Sequence, residues 1–497
     1  MAANLMSDHF NIRHLDRIFV GGRWIQPSTT RRLTVTNPTT EQMIGQVAEA
    51  SQADIDLAVA AARKAFDAGP WPRMSPAERA QYMVRLAGEL RKRMPELVNS
   101  WVEQVGNPIA GAELITAGSI GAYEYYASLA ETFRWEEARP TMHPGSYGLI
   151  AREPVGVVAA IAPWNAPFFT MTNKVAPALI AGCTLVVKPS PETPIDSYIL
   201  AECAEAAGLP AGVLNMVAAE REVSDYLVRR PEVDKVSFTG SSLAGRKIAS
   251  VCGERIARVT LELGGKSAAI VLDDFDMGEA AANLGPSLCQ LSGQVCANLT
   301  RVLVPAKRHD DFVDAITQSL KGVRVGDPYQ RDTQMGPLAM KRQLERVESY
   351  VAKGKADGAK LALGGGRPAD LNRGYFFEPT IFAGVDNSST IAQEEIFGPV
   401  VSVIPYKDVD DAIRLANDSI FGLNGAVFTN DLDQAYRVSR SVRTGTMGQN
   451  GSKPDFSISF GGFKQSGIGR EGGPDAVLPY LETKTIVLNG RPSHLAA

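Results

Sequence analysis

Cysteine and histidine are scarce in this chain. Five cysteines occur in 497 residues, an odd number with no C-x-x-C pair. A disulfide framework or a zinc site is therefore not expected, and a reducing compartment fits this usage best. The five histidines are scattered and form neither an H-E-x-x-H motif nor a close pair, so we predict no metal site.

An excess of one charge and long apolar runs are also lacking. The chain has 51 basic and 55 acidic residues, which indicates no surface for binding nucleic acid. No apolar run approaches the roughly 18 residues of a membrane span. Residues 1–19 mix acids with bases and contain no apolar core, so neither an export signal nor a transit peptide is evident. We expect a cytoplasmic protein without nucleic-acid or membrane partners.

The chain does contain short apolar runs that alternate with helical stretches. The first series of runs lies at residues 155–163, 183–189, 212–218, 234–240 and 257–263. A second series lies at residues 267–273, 300–305, 400–406 and 425–431. Successive β-α-β units build a mostly parallel sheet with helices on both faces. The predicted fold is therefore α/β, with two doubly wound parallel-sheet domains that meet near Gly264-Gly265 and smaller strand appendages.

Local signals predict several further elements. Residues 18–25 indicate a short hairpin that turns at two glycines. Ser51 with Asp54, and the segment 75–78 (S-P-A-E), are capping signals that predict the first residues of two helices. Residues 480–490 predict a terminal strand.

Three glycine-rich stretches are similar to phosphate-binding loops but do not meet their requirements. A P-loop has a glycine five residues before its second glycine, and for residues 265–267 (G-K-S) that position is Thr260. The stretch 240–245 continues with Arg246, where the motif needs lysine. The G-x-G-x-x-G match at 467–472 follows polar residues rather than a buried strand, so the dinucleotide fingerprint lacks its context. A P-loop phosphotransferase is therefore not predicted.

Three polar residues are candidates for chemistry. Glu262 ends an apolar strand beside a glycine pair, either as an ordinary strand-end acid or as a general base whose pKa is raised by partial burial. Cys296 has small and polar neighbours that leave its sulfur reachable, whereas the other cysteines suit buried positions. A thiol of pKa ~8.5 is a few per cent thiolate at neutral pH and a strong nucleophile. Asn165, between two prolines, is either a turn residue or a rigid oxyanion donor.

Seven motifs occur in order along the chain. They are Pro163-Trp164-Asn165, Lys188-Pro189-Ser190, Phe238-Thr239-Gly240-Ser241, Leu261-Glu262-Leu263-Gly264-Gly265-Lys266, Gly293-Gln294-Val295-Cys296, Glu394-Glu395-Ile396-Phe397-Gly398-Pro399 and Gly461-Gly462-Phe463-Lys464-Gln465-Ser466-Gly467. Together they resemble the aldehyde dehydrogenase superfamily, in its hydrolytic NAD(P)-dependent branch, over nearly the whole chain. Cys296 follows Glu262 by 34 residues, as in that family. Each motif is weak alone, but seven in order are very specific.

The resemblance implies a catalytic mechanism. Cys296 would attack an aldehyde, and the Asn165 amide with the Cys296 N–H would hold the oxyanion of the thiohemiacetal. Hydride transfer to a nicotinamide would leave a thioester, from which Glu262 would release the acid by activating water. Lys174 would have a supporting electrostatic role.

The resemblance also implies a dinucleotide site, with NAD favoured and NADP tolerated. Lys188 would bind the adenosine ribose and Ser241 the pyrophosphate, at a helix N-terminus. Glu395 would bind the nicotinamide ribose, with Phe397 packed against that end. The remaining residues assigned to this site by resemblance are Trp164, Ser190, Gly240, Gly245 and Leu263. The aromatic residues among them suit a core position equally well.

One departure from the family pattern concerns the cofactor. Many NAD-preferring members carry a glutamate three residues after the ribose lysine, whereas this chain has Pro191 there and Glu192 next. Without an acceptor at 191, a 2′-phosphate would meet less repulsion near Lys188. We therefore expect NADP to be tolerated.

The substrate is predicted from the residues that would face the tunnel by resemblance. These residues are Ala166, Asn173, Val295, Phe456 and Phe460. They are mostly apolar, and no arginine stands where semialdehyde members hold a substrate carboxylate. We expect an apolar aliphatic, aromatic or terpenoid aldehyde. The alternatives are a semialdehyde or betaine-aldehyde-type dehydrogenase, a CoA-acylating dehydrogenase, and a non-catalytic binding protein on the same fold.

The resemblance also implies a domain arrangement. Residues 1–136 and 154–264 would form a Rossmann-like dinucleotide-binding domain, and residues 265–465 the catalytic domain. Residues 137–153 and 478–497 would form a small β oligomerisation arm. A homo-oligomer is expected, either a dimer or a tetramer.

Overall fold

The computed structural model describes residues 10–493. Residues 1–9 and 494–497, at the outer ends of the predicted segments 1–136 and 478–497, lie outside the described residues. The elements from residue 18 to residue 154 are β1 (Ile18–Val20), β2 (Arg23–Ile25), β3 (Arg32–Thr36), β4 (Met43–Ala48), α1 (Gln52–Asp67), α2 (Pro76–Lys92), α3 (Met94–Val105), α4 (Ile109–Thr132), β5 (Glu136–Arg139) and β6 (Tyr147–Pro154).

The remaining elements follow in two series. The first comprises β7 (Val157–Ile161), α5 (Pro167–Ala181), β8 (Thr184–Lys188), α6 (Ile195–Ala206), β9 (Leu214–Met216), α7 (Arg221–Arg229), β10 (Lys235–Thr239), α8 (Ser242–Glu254) and β11 (Arg258–Glu262). The second comprises β12 (Ala268–Val271), α9 (Met277–Cys289), β13 (Arg301–Pro305), α10 (His309–Lys321), α11 (Lys341–Ala356), β14 (Lys360–Leu363), β15 (Thr380–Ala383), α12 (Thr390–Gln393), β16 (Val400–Tyr406), α13 (Val409–Asn417), β17 (Gly425–Phe428), α14 (Leu432–Ser441), β18 (Gly448–Gln449), β19 (Gly467–Ile468) and β20 (Leu481–Leu488).

The first large sheet has the strand order β19-β11-β10-β7-β8-β9-β1-β2. Its five central strands, from β11 to β9, are parallel. The register pairs Glu262 with Thr239 and Ile161 with Lys188, so the carboxyl ends of β11, β10, β7 and β8 lie at one edge of the sheet. Ligands of open α/β sheets bind outside this edge.

Helices cover both faces of this sheet. Along β7, Val158 and Ala160 belong to the core under α2, α4, α5 and α6, whereas Val157 and Ala159 belong to the core under α1, α7 and α8. Side chains alternate between the faces of a strand, so a strand with two apolar faces is buried on both sides.

The second large sheet has the order β14-β15-β16-β13-β12-β17-β18, with every pair parallel except β14–β15. Apolar residues also fill both of its faces. The prediction of an α/β fold with two doubly wound parallel sheets is confirmed. The chain passes from one sheet to the other between β11 and β12, at the glycine pair that suggested the junction.

A small antiparallel sheet lies apart from these two. Its order is β20-β6-β5, and β20 pairs with β6 from Leu481↔Pro154 to Leu488↔Tyr147. The strands expected around residues 137–153 and the predicted terminal strand are confirmed.

The local predictions near the amino end also hold. β1 and β2 form the expected hairpin, and its two turn glycines have φ of 61° and 76°, which glycine adopts at low cost. Ser51 caps α1 and Ser75 caps α2, each in a reciprocal capping box. Within residues 10–493, no helix combines the length and hydropathy needed to cross a bilayer.

Candidate active site

The segments that carry Asn165, Glu262 and Cys296 meet at the carboxyl edge of the first sheet. Asn165 Nδ2 donates to the main-chain oxygen of Gln294, two residues before the cysteine, at 2.8 Å. The charge of Glu262 acts on the Cys296 thiol. A Cβ atom at Gly265, just after β11, would lie 2.4 Å from the carbonyl oxygen of Cys296. Only glycine therefore allows the main chain after β11 to approach the cysteine loop this closely.

Hydrogen bonds from side chains fix the loop that carries Cys296. The Gln294 side chain accepts from the N–H of Ala339 at 3.0 Å and donates to the oxygen of Leu291 at 2.9 Å. On the other flank, Asn424 Nδ2 donates to the oxygen of Ala297 at 2.8 Å. Each bond joins the loop to another part of the chain or to its own preceding turn. The sulfur is thus held on a fixed main chain.

Cys296 differs from the other four cysteines as the sequence predicted. It is partly exposed, whereas Cys183, Cys203, Cys252 and Cys289 are buried, and all five are free thiols. The expectation of an ordinary thiol pKa is wrong for this structure. Burial of the sulfur, together with the negative charges of Glu395 and Glu262, raises the pKa of Cys296 to about 12.

Glu262 is the last residue of β11 and is only 4% exposed. Neither carboxylate oxygen has a hydrogen-bond partner among the described residues. Burial and the charge of Glu471 raise its pKa well above the usual value, and the cations Lys174 and Arg470 act in the opposite direction. Burial and the raised pKa agree with the second of the two interpretations that the sequence left open, and the role of Glu262 as a general base stays a prediction.

Lys174, on α5, is fully buried beside this glutamate. Its Nζ donates to Glu471 Oε1 and to Thr239 Oγ1, each at 2.6 Å. The partner carboxylate lies 297 positions away in the sequence. Lys174 therefore acts on Glu262 through its charge. The sequence did not reveal this buried group, because Glu471 lies far along the chain in a glycine-rich stretch that was considered only as a phosphate-binding loop.

Asn165 is 9% exposed and is held from both sides. Trp101 Nε1 donates to its main-chain oxygen at 2.9 Å, while its own amide bonds the Gln294 carbonyl. A primary amide has two N–H donors. The bond to Gln294 uses one of them, so the other is available to an oxygen atom in front of Cys296.

A cavity of about 520 Å³ opens at the carboxyl edge of the first sheet. Cys296 and Asn165 are among its lining residues. The other lining residues include Trp164, Thr239, Gly240, Ser241, Leu243, Leu263, Gln343, Arg346, Tyr350, Glu395 and Phe397. Ser241 is also the N-cap of α8, so the N–H groups of that helix face the cavity. Such a site favours an anion.

Glu395 and Phe397 project into this cavity from a constrained segment. Arg346 donates to the main-chain oxygens of Glu395 and Ile396 at 2.5 and 3.1 Å. Phe397 has φ of +62°, a conformation that costs a non-glycine residue energy and is found where the surroundings impose it. Its ring contacts Trp164 edge-on, with centroids 5.3 Å apart. The Glu395 carboxylate accepts from the Gly265 N–H at 3.0 Å, and burial raises its pKa to about 7.

Lys188 ends β8 and is 6% exposed. Burial lowers its pKa to about 8, against the opposing effect of Glu192 and Glu220. Ser190 donates to the Glu192 carboxylate. Gly245 packs against Leu263, since a Cβ atom there would lie 2.5 Å from Leu263 Cδ2. The close packing expected at Gly245 is confirmed.

A second cavity has a volume of about 460 Å³. Asn173 and Phe456 line it, as do Leu114, Gly118, Tyr125 and Phe169. The Phe456 ring stacks on Phe460 at 4.5 Å and meets Phe169 edge-on at 4.8 Å. Phe456 and Val295 pack with Cys296 against Phe460, and Ala166 joins the neighbouring apolar cluster. The predicted substrate residues are thus brought together.

Sequence reasoning missed the contributions of α4 and α11. Leu114, Gly118 and Tyr125 recur at helical spacing along α4, a signal that was visible but did not say which cavity the face would line. Arg346 and Tyr350 recur in the same way along α11. Among residues 10–493 no group of three or more His, Cys, Asp or Glu is arranged to hold a metal ion.

Comparisons with known proteins agree with this geometry. The model of the aldehyde dehydrogenase family matches residues 24–486. The chain is 47% identical over 474 residues to a geranial dehydrogenase of Castellaniella defragrans, covering 95% of this chain and 98% of that protein. It is similar to a Mycobacterium tuberculosis aldehyde dehydrogenase solved with NAD+ (44% identity, TM-score 0.93, 96% and 98% of the two chains). It is also similar to a mutant of aldehyde dehydrogenase C of Pseudomonas syringae solved with NAD+ and octanal (36% identity, TM-score 0.92, 99% and 100% of the two chains). The chain belongs to the aldehyde dehydrogenase family.

Proposed function

We propose that this chain oxidises an apolar aldehyde to the carboxylic acid with NAD+ or NADP+, through a thiohemiacetal and a thioester on Cys296. The observation that carries the proposal is that Cys296 lines the larger cavity and packs against Phe460 together with Phe456, which lines the second cavity. The larger cavity is lined by a helix N-terminus and polar groups, the second mainly by apolar side chains. Asn165 offers a second amide N–H, and the Glu262 carboxylate has no hydrogen-bond partner within residues 10–493.

In the first step, the Cys296 thiol gives its proton to solvent, and its sulfur forms a bond to the aldehyde carbon. The carbonyl oxygen becomes an oxyanion, which the second N–H of Asn165 and the N–H of Cys296 stabilise. Both donors are fixed before substrate arrives. The Gln294 carbonyl holds the Asn165 amide, and hydrogen bonds of the Gln294 side chain hold the main chain of the cysteine loop. The chemistry supplied by NAD(P)+ when bound is acceptance of the hydride from this carbon.

In the second step, Glu262 takes a proton from a water molecule, whose oxygen attacks the thioester carbon. The C–S bond breaks, the acid leaves, and the Cys296 thiolate is restored. A carboxylate with a raised pKa is a better proton acceptor than an ordinary one. Within residues 10–493 neither of its oxygens accepts a hydrogen bond, so both are free for water.

The residues around the larger cavity fit a dinucleotide. The N-terminus of α8, with Ser241 and Gly240 beside it, suits a pyrophosphate. Lys188 stands at the end of β8, where the ribose of an adenosine half is recognised in folds of this kind. Glu395 offers a carboxylate to the ribose at the other end, and Trp164 with Phe397 forms an apolar wall there. Ser190, Gly245 and Leu263 would shape the adjoining walls.

We favour NAD+ as the cofactor and expect NADP+ to be tolerated. Solved relatives carry NAD+, and Pro191 supplies no acceptor for a 2′-hydroxyl near Lys188. A ratio of kcat/KM for NAD+ over NADP+ above roughly 10³, about 4 kcal/mol, would contradict tolerance of NADP+.

The substrate class follows from the second cavity. Its lining contains four aromatic residues, Tyr125, Tyr126, Phe169 and Phe456, and no lysine or arginine among the residues identified. Apolar lining favours an apolar ligand, because few polar groups would be left without partners. The geranial dehydrogenase and the octanal complex among the relatives suit this choice. We propose an aliphatic, aromatic or terpenoid aldehyde.

The other candidates have less support. CoA-dependent release of the thioester would have no need of Glu262 as a base, and a non-catalytic protein would have no need of Asn165, Glu262 and Cys296 together. A semialdehyde would place its carboxylate in a cavity without a cation. A faster turnover of succinate semialdehyde than of octanal would nevertheless favour a semialdehyde dehydrogenase.

We further propose that three parts of the chain have different functions. Residues 1–136 and 154–264 would bind the dinucleotide, residues 265–465 would carry the catalytic loop, and residues 137–153 with 478–497 would join subunits through the three-stranded sheet. A dimer or tetramer would result, and light scattering at micromolar concentration would show a monomer if this is wrong. Five unpaired cysteines suit a cytoplasmic location.

The decisive experiment measures the appearance of reduced nicotinamide on purified protein. Octanal, benzaldehyde, citral and betaine aldehyde would each be supplied with NAD+ and with NADP+. We expect turnover of at least one of the first three, and none by Cys296→Ala. No turnover with any pair, while the Cys296 thiol is shown to be free, would contradict the proposal.

A further inference from the structure

We propose that a small cavity beside the cysteine loop binds a single halide ion such as chloride. Four residues form the proposed halide site: Lys266, Ser267, Asn424 and Thr444. None of the four is among the lining residues identified for the two cavities described above. The inference goes beyond the proposed function and does not depend on it.

The polar groups of this cavity are the first reason. Each of the four residues has one buried polar atom without a hydrogen-bond partner among residues 10–493: Lys266 Nζ, Ser267 Oγ, Asn424 Oδ1 and Thr444 Oγ1. An ammonium brings three N–H donors and each hydroxyl brings one. When one of these donors serves Asn424 Oδ1, several still need an acceptor, and a buried donor without one is costly. The cavity therefore suits an occupant that accepts several hydrogen bonds.

The charge of the lining is the second reason. Lys266, Arg301 and Arg443 contribute three cations, and no aspartate or glutamate is among the lining residues identified. Lys266 and Arg301 are each only 2% exposed. The Arg301 guanidinium donates to three main-chain oxygens and to the amide oxygen of Asn387, all of them neutral. Since a buried charge is stable only with a compensating partner, the site favours an anion over water.

The pKa of Lys266 agrees with this argument. Burial lowers the pKa to about 7, and the charges of Arg301 and Arg346 act in the same direction. The carboxylates of Glu395 and Glu394 act in the opposite direction and offset this only in part. An anion in the cavity would supply further negative charge and keep the ammonium ionised.

The size of the cavity limits its occupant. Its volume is about 10 Å³, roughly the space for one water-sized particle. A phosphate or a carboxylate ligand has several heavy atoms, whereas a halide has one. Arg443 is exposed to solvent and also lines the cavity, so its charge can attract an anion from outside. A monatomic anion is therefore the occupant that fits both the size and the charge.

The position of the cavity gives the ion a structural role. Asn424 holds the cysteine loop, because its Nδ2 donates to the main-chain oxygen of Ala297 at 2.8 Å. Lys266 directly follows Gly265, whose main chain lies against the carbonyl oxygen of Cys296. An ion in this cavity therefore supports two segments on which the loop depends.

Anomalous X-ray diffraction from crystals of the full chain in about 0.5 M sodium bromide tests binding directly. We expect a bromide peak within hydrogen-bonding distance of Lys266 Nζ in wild type and no peak there in Lys266→Met. The inference is wrong if wild type shows no bromide in this cavity, or shows it only at other positions. A peak that persists in Lys266→Met would equally overturn it.

Thermal unfolding gives a second measurement, which needs neither cofactor nor aldehyde. Replacing sodium gluconate by sodium chloride at equal concentration should raise the melting temperature of wild type by roughly 2–3 °C when chloride is near 100 times its Kd. Gluconate is too large for the cavity. Lys266→Met should lose this response, and Thr444→Val, which removes only a hydroxyl, should lose at least half of it. Equal melting temperatures of wild type in the two salts would contradict halide binding.

Lys235→Met is the matched control. Lys235 is also buried and has a pKa lowered to about 7, but its Nζ donates to Thr260 Oγ1 and it is not among the residues that line this cavity. This variant should keep the full wild-type response to chloride. An equal loss of response in Lys235→Met and Lys266→Met would show a general effect of removing a buried lysine and would overturn the inference. If Lys266→Met does not fold, Thr444→Val against the same control decides the question.

Discussion

The side-chain amide of Asn165 donates to the main-chain carbonyl of Gln294 at 2.8 Å and so ties the segment after β7 to the cysteine loop. The bond fixes the direction of the amide and leaves its second N–H free. Asn165 therefore anchors the loop, and its proposed role as a donor to the reacting oxygen would be a second one.

Replacing Asn165 by alanine should lower kcat by roughly 10² to 10³, the usual cost of losing one oxyanion donor. Steady-state rates with the best aldehyde would measure this. Loss of the anchor should also lower the melting temperature by a few degrees, because the buried Gln294 carbonyl loses its partner. An unchanged kcat would show that the amide does not reach the reacting oxygen.

The Cys296 thiol should react slowly with iodoacetamide in the cofactor-free protein, because its pKa is raised to about 12. Mass spectrometry of the labelled peptide should show a rate that rises about tenfold per pH unit from pH 7 to pH 10, since only the thiolate is the nucleophile. Glu395→Gln removes a neighbouring negative charge, which should lower this pKa and speed labelling. A plateau near pH 8.5 would show an ordinary thiol.

Replacing Glu262 by glutamine should block release of the acid. Reduced nicotinamide should appear in a burst equivalent to the active sites and then rise at a rate lower by roughly 10² to 10⁴. Rapid-mixing absorbance would resolve the two phases. A steady rate at the wild-type value, without a burst, would show that Glu262 does not activate the water molecule that releases the acid.

The same variant should affect stability in a pH-dependent way. The folded-state pKa of Glu262 is raised, so the folded protein binds more protons than the unfolded chain between the ordinary value near 4.5 and the raised value. Stability of wild type therefore falls across that window as pH rises, whereas Glu262→Gln lacks this loss. In urea unfolding, the free energy of unfolding of the variant minus that of wild type should increase from pH 5 to pH 8. A difference that stays constant over this range would contradict the raised pKa of Glu262.

Gly265→Ala should reduce activity without preventing folding. Its Cβ atom would lie 2.4 Å from the Cys296 oxygen, so the main chain of the cysteine loop must shift, and small misplacements of reacting groups cost large factors in rate. Gly253→Ala is the control, because a Cβ atom in that helix meets nothing within 4 Å. It should stabilise the protein by roughly 0.5–1 kcal/mol and leave kcat unchanged. Equal activity of the two variants would contradict the close approach.

The buried Lys235 offers a second test of how burial shifts a pKa. Burial lowers its pKa to about 7, and its Nζ donates to Thr260 Oγ1 at 2.6 Å. Between pH 7 and the unfolded value near 10.5, the unfolded chain binds more protons, so wild-type stability rises with pH. The difference in melting temperature, Lys235→Met minus wild type, should therefore be most positive at pH 7 or below and should decline towards pH 10. A difference that does not depend on pH would show that Lys235 has an ordinary pKa.

Much of this protein could be predicted from local sequence. The strand ends at Glu262 and Lys188, the caps at Ser51 and Ser75, and the accessible position of Cys296 all followed from neighbours a few residues away. Such features depend on short-range hydrogen bonds and on apolar periodicity, both of which are visible in sequence. The order of the seven motifs indicated the family and its expected chemistry, since those motifs are specific in combination.

Only the tertiary structure decided how these groups act on one another. Glu471 pairs with Lys174 from 297 positions away, and Arg342 reaches Glu192 from α11. The apolar face of α4 lines the second cavity, although its helical spacing did not indicate a partner. The pKa values of Cys296 and Glu262 depend on burial and on charges from several distant segments. These effects combine only once the chain is folded. Sequence therefore determined which groups are present and at which strand ends, and folding determined their ionisation, their partners and the space in front of them.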